Sequence, residues 1–106
     1  MAAYYKKFST KIVFMQDDNL KNKKKVLVST MGNIIKKLRL SKSKSIYKIS
    51  AECSMSKATW REVELGLCND ISLSTLYKIA DGLEIPLYKL FFELNKVLGE
   101  KFSITD

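Results

Sequence analysis

The chain has no histidine, and its 106 residues hold only two cysteines and one proline. The missing imidazole removes the commonest general base and the commonest metal ligand. Cys53 and Cys68 are too far apart in sequence for a CxxC redox or zinc pair, so both are expected as reduced thiols. No apolar run approaches the roughly 20 residues that a membrane-spanning helix needs. The leading residues, with Tyr4, Tyr5, Lys6 and Lys7, lack the apolar stretch and small-residue site of a secretory leader. There is no internal repeat. These absences predict a soluble cytoplasmic protein with no metal and no cofactor, and they leave an enzyme only scattered carboxylates without a spacing logic.

What is present is positive charge. The formal net charge is +8, a balance that favours a polyanionic partner. Its distribution is uneven: residues 1–28 carry seven lysines against Asp17 and Asp18, most densely in "LKNKKK". Residues 29–95 carry ten Lys or Arg against seven acids, and residues 96–106 balance.

From about Ser29 the hydrophobic period is helical. Met31, Ile35 and Leu38 recur on one stripe with Ile34 beside them, and Ser29 or Thr30 can cap the start. "SKSKS" at 41–45 interrupts it, because serine competes for backbone hydrogen bonds and favours caps and turns. Ser45 can cap a second helix with Ile46, Ile49 and Cys53 inward. Ser56 can cap a third with Trp60 and Val63 inward, closed by Gly66 in a left-handed conformation. Ser72 opens a fourth with Leu73, Leu76, Ile79, Ala80 and Leu83 inside. Pro86 opens a fifth through Leu87, Leu90, Phe91 and Leu94. The pattern predicts an all-α, five-helix domain over 29–95 and a C-terminal tail over 96–106.

Residues 1–28 read differently. "KFSTKIVFM" alternates and "KVLVS" is rich in β-branched residues, which predicts either a short β element or a basic arm. Tyr4, Tyr5, Phe8, Val13 and Phe14 form an apolar-aromatic segment that a protein partner or a second copy can bury, or that packs on its own domain.

The two middle helices are joined by three residues, the spacing of a helix-turn-helix unit. On the second of them Lys57, Ala58, Arg61 and Glu62 share the side away from Trp60 and Val63. Such a face suits the DNA major groove, with the N-terminus at Ser56 near a phosphate. Charges on an outer helix face also arise simply as solvated residues.

From Met31 to Phe91 the chain resembles the lambda-Cro-type helix-turn-helix regulators, the XRE family. "MGNIIKKLR" looks like their first helix, and "SIYKISAECSMSKATWREVELG" is similar to their helix-turn-helix without a gap. "ISLSTLYKIADGLEIPLYKLF" looks like their closing helices, and "ISLSTL" with "FFEL" is similar to the controller proteins of restriction-modification systems. The resemblance implies a lambda-repressor-like fold and a dimeric transcriptional regulator, a repressor by analogy, on a palindromic double-stranded DNA operator. It also implies a partly buried ion pair between Arg39 and Glu64. Lys57, Ala58 and Glu62 match base-reading positions, Thr59 and Arg61 positions nearer the backbone, and Ser45 and Asn69 phosphate contacts. Ile46, Ser50 and Ser54 stand where the family has glutamine, alanine and glycine, so Ser54 is expected to be left-handed.

Glu62 suits cytosine N4, or is structural. On the last helix Tyr88 and Phe92 lie off the inward stripe, which predicts a homodimer interface there. The competing expectation is an antitoxin-like, partner-binding module in which DNA contact is secondary.

Overall fold

The computed structural model describes residues 10–105, with side chains from Asp18 onward. Tyr4, Tyr5, Phe8 and the side chains of Val13 and Phe14 lie outside the described residues. Five helices and no strand occur among the described residues: α1 Thr10–Ser41, α2 Ile46–Glu52, α3 Lys57–Glu64, α4 Leu73–Leu83 and α5 Leu87–Leu98. None of them is long and apolar enough to cross a membrane.

The expected start of the first helix at Ser29 and the strand at "KVLVS" are corrected by α1, which is one helix of 32 residues. Leucine and lysine are strong helix formers, and Leu27, Val28, Met31, Ile34 and Ile35 form one continuous inward stripe. That stripe outweighs the β preference of Val26 and Val28. Thr30 sits inside the helix instead of capping it, its hydroxyl donating to the Val26 carbonyl at 2.7 Å. The basic turn Lys21–Lys25 is therefore helical and continuous with the domain, not an arm or a β element.

The remaining starts follow from side-chain oxygens. Ser45, Ser56 and Ser72 each cap a helix, accepting from the backbone N–H of Lys48, Thr59 and Thr75 respectively. Pro86 precedes α5, where its missing N–H costs nothing.

The core is made by Ile35, Ile49, Trp60, Val63, Ile79, Leu83 and Leu90, all essentially inaccessible. Two expected core members differ. Leu73 is exposed in the first turn of α4, and Phe91 lies at the rim beside an otherwise buried stripe of Leu90 and Leu94. The segment after α5 also packs: the Lys23 ammonium donates to the Ser103 carbonyl at 2.8 Å and lies 5.3 Å from the Phe102 ring centre. Residues 96–98, expected in the tail, complete α5.

Candidate nucleic-acid interface

α2 and α3 are separated by four residues, Cys53–Ser56, one more than the expected three because Cys53 caps the end of α2 instead of continuing it, and in this turn Ser54 takes φ 58. This is the left-handed conformation expected of that position, unfavourable for a residue with a Cβ. Ser50 is buried where the two helices meet, and its hydroxyl donates back to the Ile46 carbonyl at 2.7 Å. The buried serine hydroxyl is thus satisfied within its own helix. Ile46 is half-buried against the core, so its side chain is committed to packing.

α3 is clamped from behind. Arg39 on α1 donates through Nε to Glu64 Oε2 at 2.6 Å and through Nη2 to Oε1 at 3.0 Å, a two-bond fork with both side chains buried. The indole N–H of the fully buried Trp60 donates to the same Oε2. The Glu64 hydrogen bond, then its charge, holds the Arg39 guanidinium above its ordinary value despite burial. Arg39 also donates through Nη1 to the Lys44 carbonyl at 2.8 Å, and the Lys44 ammonium bridges Glu52 at 2.7 Å and Glu84 at 3.1 Å. Hence α1, the α1–α2 loop, the end of α2, the end of α3 and the α4–α5 turn share one polar network.

Two glycines allow the close approach. A Cβ on Gly32 of α1 would lie 2.2 Å from the Val63 carbonyl oxygen, and no side chain can relieve a backbone contact. Gly66 takes φ +69 after α3, and its N–H donates to the Val63 carbonyl at 3.1 Å.

With Trp60, Val63 and Glu64 held inward, Lys57, Ala58, Arg61 and Glu62 are all exposed on the other side of α3. Lys57 and Arg61 are one turn apart, as are Ala58 and Glu62. Thr59 is exposed at the margin, its hydroxyl accepting from Ser56 at 2.7 Å. Ser45 and Ser56 are exposed at their helix starts, and Asn69 is exposed in the loop after Gly66. α2 and α3 thus bring Ser45 and the 56–62 set to two helix starts joined by a short turn, while Asn69 sits on a wall beyond the other end of α3.

Three further features have no motif in the sequence. Leu65, one turn beyond Arg61, is exposed on the same side of α3, and Tyr47 is 72 % exposed in the first turn of α2. Their signal was register: each falls outside the inward stripe of its helix. The third is a solvent-open groove of about 610 Å³ between Lys21, Asn22, Lys24 and Lys25 of α1 and Gly66–Asn69. No spacing in the sequence announces it, because it depends on how α1 crosses the loop.

On α5, Tyr88 and Phe92 are 68 % and 52 % exposed, as their register predicts. The ammonium groups of Lys89 and Lys96 lie 5.4 and 5.5 Å from the Phe92 ring centre. Both thiols are free: burial pushes Cys53 up, and burial followed by the Glu62 charge pushes Cys68 up. Neither has the depressed pKa of a nucleophile. No group of three or more His, Cys, Asp or Glu that could hold a metal occurs among the described residues. No family model, curated protein or solved structure matches the chain.

Proposed function

We propose that this chain is a sequence-specific, double-stranded-DNA-binding transcriptional regulator of the lambda-Cro type, with α2 and α3 as its helix-turn-helix and α3 in the major groove. One observation carries the reading. α3 is locked inward through Trp60, Val63 and Glu64 while Lys57, Ala58, Arg61 and Glu62 project together from its free side. In this arrangement Lys57 donates to a guanine edge, Arg61 lies nearer the backbone, and Glu62 accepts from cytosine. Ser45 and Asn69 approach phosphates. The chain's +8 charge supplies the electrostatic part of the affinity.

Tyr88 and Phe92 support a two-fold dimer through α5, which places two α3 helices about 34 Å apart on a palindromic site. The same exposed aromatics favour one second reading, an antitoxin-like module that covers this face with a different chain. Selection of bound sequences from random duplex DNA tests the first reading: a palindromic motif with one-turn half-site spacing is expected. Enrichment of no motif, with co-purification of a different chain instead of self-association, selects the second.

A further inference from the structure

We infer that the groove between the basic turn of α1 and the loop after α3 seats backbone phosphates of the same duplex whose bases α3 reads. The inference rests on the function proposed above.

The groove has one cationic wall. Lys21 and Lys25 lie one helical turn apart, with Lys24 beside them, and the opposite wall is Leu67, Cys68 and Asn69. Lys24 is paired with Asp70 at 3.4 Å, whereas no carboxylate among the described residues pairs with Lys21 or Lys25. Two like charges at this spacing repel, a cost that a bound polyanion reverses. The groove is open to solvent and holds about 610 Å³, room for a polymer backbone to run past its cationic wall.

Its position matches the proposed duplex. The N–H of Leu67, on the loop wall of the groove, donates to the Glu62 carbonyl of α3 at 3.0 Å. The groove therefore adjoins the C-terminal end of the α3 outer face, where a strand flanking the major groove would leave it. The cationic wall is also preorganised: Lys23, on the other side of the same turn, is tied to Phe102 and Ser103. A flexible arm would lose more entropy to make the same contacts.

The test uses the full chain carrying K21Q and K25Q together, against the duplex selected by the wild-type protein. Glutamine keeps the helix propensity of lysine, and both positions are exposed, so the melting temperature should not move. Binding is read by fluorescence anisotropy across a salt series. Loss of one or two phosphate contacts should reduce the log–log salt slope by about 0.9 for each and weaken binding at every salt concentration. The selected motif should stay the same, because phosphates carry no sequence information. K21R with K25R should retain the wild-type slope, which separates charge from fold. If the glutamine variant keeps the wild-type slope and affinity on a motif the wild type selects, the groove inference is overturned and the proposed function stands. If the wild-type chain selects no duplex, both fall.

Discussion

Glu64→Gln isolates the interaction that fixes α3 in place. Glu64 accepts from three donors, Arg39 Nε, Arg39 Nη2 and Trp60 Nε1, and its side chain is 4 % exposed. An amide has the same shape but only one acceptor oxygen. Whichever way it turns, its NH2 meets a donor, and the Arg39 charge is left buried without a counter-charge. Removing one member of a buried pair costs about 3–5 kcal/mol, and because the amide retains one or two of the bonds, the low end, about 3 kcal/mol, is expected. For a domain of this size each kcal/mol lowers Tm by roughly 4–8 °C, so the loss should be about 12–24 °C. Circular-dichroism melts of wild type, Glu64→Gln and Glu62→Gln read it directly. Glu62 is exposed, and the same chemical change there should stay within about 0.5 kcal/mol. Equal melting of the two variants would refute the claim that the Arg39–Glu64–Trp60 cluster holds α3.

Other variants probe the rest of the frame. Gly32→Ala should destabilise by about 3 kcal/mol or more, since its Cβ would press on the Val63 carbonyl and the two helices must separate; a urea titration checks it. Ser54→Gly should raise stability by up to about 1 kcal/mol in thermal melts, because it removes the left-handed strain at φ 58, with no side-chain hydrogen bond of Ser54 to lose. Phe92→Glu should leave the fold intact and, in sedimentation, convert a dimer to a monomer with much weaker operator binding; a wild-type chain that is monomeric both free and on DNA would remove the dimer proposal.

The parts of this fold legible in the sequence were those set within a few residues. Ser45, Ser56 and Ser72 cap because a short side-chain oxygen precedes an apolar-periodic run, and Gly66 follows the last inward residue of α3. The Arg39–Glu64 pair came through the resemblance, not through spacing, since 25 residues separate its members. The joining of Trp60 to that pair was not legible: it needs the indole edge to meet a carboxylate already turned inward. The part of α1 before Ser29 is not legible because "KVLVS" favours a strand locally, while the Leu27–Val28–Met31 stripe favours a helix only once α4 and α5 are there to pack against it. Leu73 fits an apolar period, yet it falls in the first turn of α4, past the edge of the core. The lysine groove was hidden for the same reason: Lys21 and Asn69 are neighbours only through the crossing of α1 over the loop after α3.

The outer face of α3 is proposed to read double-stranded DNA. The most direct measurement is selection from random duplex DNA with wild type and Lys57→Ala side by side, followed by affinity for the wild-type motif. A palindromic motif is predicted for the wild type. For Lys57→Ala, affinity should fall by about 1–3 kcal/mol, with relaxed preference at one symmetry-related base pair. Failure of the wild type to enrich any duplex sequence, or an unchanged motif and affinity for Lys57→Ala, would contradict it.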